Sequence, residues 1–450
     1  MSEPLVIIGN GMAAARLCEE LAQRALGRYA IAVIGEEPQL AYNRVLLSSV
    51  LAGDVPASEI VLQSASWWRD RGVTLRYGAP AVATDLTARV VTLADGKTFK
   101  FAKLVFATGS RAIRLPVGGA DLPGVLTFRD MGDVDAITRA ARRGVRVVVI
   151  GGGLLGIEAA CGLAKASAKV TLVHLMDRLM ERQLDARAAA MLKRSVERKG
   201  VDVLLEAETA RFIGDGHIEA VELKDGRTLT ADMAVVAVGI RPNAELAAKA
   251  GLAVKRGIVV DDRLATDATD VFAIGECAEH RGTCYGLVEP ANEQARVLAE
   301  RLAGRDSEYG GSINATNLKV AGVRVFSAGD FLGAAGTETI LFADPGLDTY
   351  RKLVIAGDRL VGAVLFGDTG DAQWYLELIR SGAAIEAIRE DLVFGRAFAE
   401  QKSGVAEKQA RNGSAPALAP RRRRTSGVRA GASAAASAAR QGTDQEVPAT

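Results

Sequence analysis

Two clusters of small residues have the types and spacing to bind phosphate. Residues 4–14, PLVIIGNGMAA, carry an apolar strand into Gly9, Gly11 and Ala14, and residues 145–156, VRVVVIGGGLLG, carry another into Gly151, Gly153 and Gly156. In this pattern the first glycine turns the chain sharply out of the strand, the second lets backbone approach a pyrophosphate, and the third position lets helix pack on sheet. The phosphates then meet the free N–H groups and positive dipole end of the following helix. All three positions repeat at an offset of 142 residues. Each copy is followed by an Asp-Gly hairpin signal, Asp95-Gly96 and Asp225-Gly226, and then by an apolar strand closing on glycine, LVFATG to Gly109 and AVVAVG to Gly239, both at an offset of 130. A repeat in register with matching later landmarks predicts two dinucleotide-binding folds in one chain. Two dinucleotides side by side predict electron transfer between them.

A dinucleotide fold places an acid at the end of its second strand to accept ribose hydroxyls. In the first copy YAIAVIG ends at Gly35 and is followed by Glu36 and Glu37, with Glu36 expected at the ribose and Glu37 its rival. In the second copy KVTLVH ends in His174, with Asp177, Arg178 and Arg182 beyond it. His174 either faces the ribose or packs on adenine. The missing strand-end acid leaves both NADH and NADPH open.

Further along, TDATDVFAIGE at 266–276 is another strand, closing on Gly275 and Glu276. LVEPANEQARVLAERLAG then places Pro290 in the first turn of a helix expected to run to about Ala303. Cys277, His280 and Cys284 lie close together, but three such residues without a fourth make a weak zinc signal, and no metal site is expected.

At 450 residues the chain exceeds one core. The expected division is a first dinucleotide fold over 1–112, a second over 113–242, a return to the first over 243–305, a small α+β domain over 310–398 and a disordered basic tail over 399–450. In the α+β domain YRKLVIAGDRLVGAVLFG reads as a hairpin turning at Gly357-Asp358, and QWYLELIRSG and AAIEAIRED read as helices. The tail lacks aromatic residues, so it cannot bury enough apolar area to offset its ordering entropy. Residues 403–450 hold eight basic and three acidic side chains, which turns the overall net charge of +2 into a body at −3. A mildly acidic body does not suggest nucleic-acid binding. No apolar run is long enough to span a membrane, the first strand begins too early for a signal peptide, and four cysteines do not build a disulfide framework. The expectation is a cytoplasmic protein; assembly as a homodimer is left open.

With those residues in hand the chain resembles the two-dinucleotide flavoprotein reductases, the glutathione reductase-like group that includes ferredoxin and rubredoxin reductases. GEEPQLAYNRVLLSS at 35–49, VTLVHLMDRLMERQLD at 170–185, FAIGECAEHRGTCYGLVEPANEQA at 272–295 and TNLKVAGVRVFSAGD at 316–330 are similar to the FAD/NAD part of the NADH-dependent nitrite reductase large subunits and to the electron-transfer subunits of assimilatory nitrate reductases. The resemblance implies an α/β fold with FAD as cofactor and NAD(P)H as co-substrate. It implies FAD contacts from Gly9, Gly11, Ala14, Glu36, Arg44, Thr108, Gly109, Gly275, Glu276 and the Pro290 helix start. It places the nicotinamide nucleotide on Gly151, Gly153 and Gly156, with Glu158 near the nicotinamide ring; Glu158 and Arg44 are the expected catalytic residues, and His174 and Gly239 are further expected cofactor contacts. Ferredoxin reductase relatives read R-P-x-L-S-K where this chain has Val45 and Ser49, so no lysine is available to pair with Glu158. No cysteine stands where disulfide reductases or flavin peroxidases keep theirs, so electrons are expected to leave the flavin directly. The expected partner is a nitrate or nitrite reductase, or a protein of ferredoxin, rubredoxin or haem type; a nucleotide-binding sensor or scaffold is the alternative of another class. With no cysteine after Cys284 to ligate iron–sulfur clusters, the chain alone is not expected to reduce nitrite.

Overall fold

Leu5 to Ile8 are buried on both faces, as a parallel strand covered by helices requires, and they form the centre of the first sheet. The computed structural model describes residues 2–141 and 143–400. The strand Glu3–Ile8 (β1) runs through the Gly9 turn into the helix Met12–Arg24 (α1) and returns as Tyr29–Ile34 (β2). β1 lies between β2 and Lys103–Phe106, and Thr74–Arg76 and Val271–Ala273 complete a five-stranded parallel sheet. The second copy repeats the arrangement with Arg146–Ile150 (β3), the helix Leu154–Lys165 (α2) and Lys169–Val173 (β4), again at the centre of a five-stranded parallel sheet. Each copy also carries a three-stranded antiparallel meander, and the two Asp-Gly pairs form its turns, with Gly96 and Gly226 at positive φ.

The two expected dinucleotide folds are therefore both present. The helix Val288–Leu302 (α3) packs along α1, joined to it by Arg24 to Glu300 and to the start of β2 by the Tyr29 hydroxyl donating to the Leu302 carbonyl at 2.7 Å. Residues 315–366 form a five-stranded antiparallel sheet, and Ala372–Ser381 is a helix against it. Tyr350 from that sheet donates to Asp185 of the second fold at 2.6 Å.

One expected helix is absent. AAIEAIRED contains only the short 3-10 turn Glu386–Ile388. Gly382, at φ 59°, caps the preceding helix, and Ala384 then pairs with Arg359 as an isolated bridge, which holds the backbone extended where a helix would start. Residues 396–400 are helical; the rest of the expected tail, with Arg421 to Arg424, lies outside the described residues.

Candidate functional site

The first glycine of each motif is dictated by the backbone. Gly9 and Gly151 both sit at φ +118°, and a Cβ there would fall 2.0 Å from the Ala107 carbonyl oxygen and 2.3 Å from that of Ala237. The second glycines differ: a Cβ on Gly11 or Gly153 would meet nothing within 4 Å. Gly11 and Gly153 cap α1 and α2 without any side-chain hydrogen bond, so the first N–H groups of both helices stay open. Space in front of unsatisfied helix N–H groups fits a pyrophosphate at each place. The third positions serve packing: Ala14 is wholly buried, and a Cβ on Gly156 would fall 1.9 Å from the Gly151 carbonyl oxygen.

A cavity of about 1800 Å³ opens beside α1. That volume exceeds the roughly 300–1000 Å³ of a typical small-ligand pocket and suits an extended dinucleotide. Gly9, Gly11, Glu36, Arg44, Thr108, Gly109, Glu158, Gly275, Glu276 and Pro290 all line it, so the structure brings together ten of the residues expected from sequence. Ala14, Gly151, Gly153, Gly156, His174 and Gly239 lie outside its wall.

The two candidate acids after β2 have different surroundings. Glu37 accepts the Tyr42 hydroxyl at 2.6 Å and pairs with Arg44, whose guanidinium also stacks 4.9 Å from the Tyr42 ring centroid. Glu36 is exposed and has no hydrogen-bond or ion-pair partner among the described residues. Its carboxylate is therefore free to accept hydroxyls, while that of Glu37 is committed to holding Arg44.

Arg129 is a site residue that sequence reasoning missed. It lies beyond the strand Val125–Thr127, lines the cavity, and donates to the Ser110 hydroxyl at 2.9 Å and to the Glu276 carboxylate. Asp133 fixes its backbone by accepting Arg129 N–H at 2.7 Å, and Arg44 donates to the Arg129 carbonyl at 3.3 Å. A lone arginine outside any motif gives no signal in sequence. Gln294 on α3 was also missed; fully buried, it accepts Gly275 N–H at 2.7 Å and so fixes the turn that carries Glu276.

Glu158 projects from α2 into the same cavity. Burial without a compensating cation pushes its carboxyl up to about 7, and the Ser48 hydroxyl works more weakly in the other direction. Its Oε2 is buried without a hydrogen-bond partner. A carboxyl that lines a dinucleotide-sized cavity and has one oxygen unsatisfied fits a polar group of a bound ligand.

His174 is 7% exposed, and both ring nitrogens are engaged inside the protein. Nδ1 accepts the Gly152 N–H at 3.0 Å and Nε2 lies 3.1 Å from Glu181 Oε2. Neither nitrogen is left for a ribose hydroxyl, because each already has a partner within the protein. Among the described residues no group of histidine, cysteine or carboxylate side chains is arranged to hold a metal ion, and all four cysteines are free thiols. No helix among those residues is long and apolar enough to cross a membrane.

The profile of the pyridine nucleotide-disulphide oxidoreductases matches residues 3–295, and that of the rubredoxin NAD+ reductase C-terminal domain matches 315–383. An NAD(P)H nitrite reductase of Bacillus subtilis (strain 168) is 42% identical over 85% of this chain and 48% of its own length. The assimilatory nitrate reductase electron transfer subunit of the same organism is 39% identical over 86% of this chain and 51% of its own. The chain thus spans about half the length of these curated relatives. Putidaredoxin reductase, in its covalent complex with putidaredoxin, superposes with a TM-score of 0.80 at 25% identity, over 90% of this chain and 99% of its own.

Proposed function

The chain belongs to the pyridine nucleotide-disulphide oxidoreductase family, and from that premise we propose that it is an FAD-dependent NAD(P)H:acceptor oxidoreductase passing electrons to a partner protein of nitrate or nitrite reduction. The observation that carries this reading is the pairing of two open glycine-loop helix starts with one dinucleotide-sized cavity into which Glu158 projects. Bound FAD supplies a two-electron acceptor for hydride from NAD(P)H and returns the electrons to the partner.

The chain's own residues align and polarise. Gly11 and the α1 N–H groups hold the FAD pyrophosphate, Glu36 takes the adenosine ribose hydroxyls, and Arg44 and Arg129 supply positive charge within the cavity. Thr108 donates to the Asn243 carbonyl at 2.6 Å and Asn243 donates back to the Thr108 carbonyl at 3.0 Å, which ties the flavin side of the cavity to the start of the return segment. Gly153 and the α2 N–H groups take the nicotinamide dinucleotide. Glu158, on the next turn of that helix, stands where a carboxyl can hold the nicotinamide end. The buried Cys277 thiol donates to the Phe106 carbonyl at 3.5 Å and to Ile274 at 3.3 Å, which suits packing and leaves electrons to pass without a thiol relay. The cytoplasm, where NAD(P)H is plentiful, is the proposed location.

The test is direct. The purified chain should be yellow, hold one FAD, and oxidise NADH with ferricyanide but not with nitrite or nitrate alone. Nitrite reduction by the isolated chain, or no NAD(P)H oxidation with any acceptor, would overturn the proposal. The likeness to putidaredoxin reductase over almost its whole length favours a second reading, reduction of a putidaredoxin-like protein; the rate of electron delivery to putidaredoxin against that to a nitrite reductase partner distinguishes the two.

A further inference from the structure

The second dinucleotide fold has no acid at the tip of β4, yet it has one hydrogen-bonded to the side chain that stands there. His174 occupies the strand tip, and its ring lies so close beneath the loop that a Cβ on Gly152 would fall 2.5 Å from it. Because Nδ1 accepts the Gly152 N–H, Nδ1 carries no hydrogen and the ring proton sits on Nε2, where it is donated to Glu181. Glu181 comes from the segment after β4, and that segment is fastened to the same glycine. Met180, in the left-handed region at φ 51°, donates its N–H to the Gly152 carbonyl at 2.9 Å, and Gln183 and Leu184 both donate to the Met180 carbonyl at 2.8 Å. Leu179 and Met180 are buried beneath. Glu181 is thus held beside the glycine loop with 24% of its side chain exposed and with Oε1 at the long distance of 3.9 Å from Arg182 Nε.

We infer that Glu181, carried in by the loop and set in place by His174, is the residue that reads the 2′ position of the nicotinamide nucleotide's adenosine ribose, accepting the hydroxyl of NADH and repelling the phosphate of NADPH. The inference rests on the reading of the second fold as the NAD(P)H site. The region beside the second strand's end and the glycine loop is where that ribose lies in this fold, and Glu181 is the carboxylate locked to both. His174 is its positioning residue. Arg182, 86% exposed, is the nearby cation that a 2′-phosphate would recruit once the carboxylate is gone.

The test measures flavin reduction in the FAD-loaded full chain by stopped flow, with NADH and NADPH as separate reductants. Glu181→Gln should lower the NADH-over-NADPH preference in kcat/KM by about tenfold or more, mostly by improving NADPH. His174→Asn keeps an acceptor for the Gly152 N–H but is too short to reach Glu181, so it should shift the ratio in the same direction and by less; it also provides the measurement if Glu181→Gln folds poorly. An unchanged ratio, or an equal loss with both nucleotides, would overturn the assignment of Glu181 while leaving the reductase reading intact. A parent protein whose flavin neither nucleotide reduces would overturn that reading and the inference with it.

Discussion

Arg129, just past a strand of the second dinucleotide fold, donates to the carboxylate of Glu276, which stands on the turn that closes the first. The ion pair crosses the cavity wall between two segments 147 residues apart, and both side chains are largely buried, at 14% and 20% exposure. Ser110 donates to the same Glu276 oxygen at 2.8 Å. Glutamate at this position is long enough to reach Arg129, and one carboxylate thereby joins three stretches of chain around the proposed FAD site.

Removing one partner of a buried, hydrogen-bonded charge pair costs about 2–5 kcal/mol, mostly through the charge left behind. Arg129→Ala also removes a cation from the cavity wall and leaves the Glu276 carboxylate unpaired there, so it should weaken FAD binding by roughly 30-fold or more, and Arg129→Lys, which keeps the charge but loses the fork, should fall between. Equilibrium titration of apoprotein with FAD measures this. An affinity within about threefold of the parent would remove Arg129 from the site.

The glycines should separate fold from ligand. Gly9→Ala and Gly151→Ala each drive a Cβ into a backbone carbonyl at a φ that alanine rarely adopts, so both should lower stability by several kcal/mol, to be read from urea unfolding. Gly11→Ala and Gly153→Ala add a methyl to open space and should fold normally. Gly11→Ala should then lose FAD, while Gly153→Ala should keep FAD and show a raised KM for NADH. Loss of FAD from Gly153→Ala in a folded protein would break the assignment of one nucleotide to each loop.

Glu158 should give flavin reduction a pH dependence. Its carboxyl titrates near 7 in the folded chain. As pH rises through that value a negative charge appears beside the proposed nicotinamide position and favours the cation formed as hydride leaves. Flavin reduction should accelerate across pH 7, and Glu158→Gln should flatten the profile. Stability runs the other way. The unfolded chain ionises Glu158 near 4.5, while the folded chain keeps the proton until about 7. Folding therefore binds protons in that window, and stability falls as pH rises across it, levelling off above, by at most roughly 3 kcal/mol. Glu158→Gln should abolish that slope in urea unfolding measured at several pH values.

Turnover should need no thiol. Burial pushes the Cys277 thiol up, and its hydrogen bonds go to backbone carbonyls. Cys277→Ser and Cys284→Ser should keep ferricyanide reduction within about threefold of the parent, a barrier change under 1 kcal/mol. Collapse of flavin reoxidation in either folded variant would restore a thiol to the mechanism.

Much of the first fold was legible because its determinants are local. A strand, a glycine turn and a helix start follow one another within a dozen residues, and Gly9, Gly11 and Ala14 each answer a backbone requirement met in that stretch. The repeat at Gly151, Gly153 and Gly156 turned one such reading into an architecture of two folds. The C-terminal hairpin at Gly357-Asp358 was legible for the same reason, while AAIEAIRED misled: its pattern suits a helix, but Gly382 and the Arg359 bridge hold its start extended.

Partnerships between distant side chains were decided by the tertiary structure alone. Local pattern left Glu36 and Glu37 as rivals; the fold gave them different surroundings, with Tyr42 and Arg44 bonded to Glu37. It put a histidine where an acid was due, and only the folding back of residues 175–181 brought Glu181 to that histidine. Arg129 and Gln294 had no local signature at all. Backbone conformation follows from neighbours in sequence, so glycines and strands announce themselves. A carboxylate's charge, its free lone pairs and its reach toward a ligand depend on groups that only the folded chain brings within 3 Å.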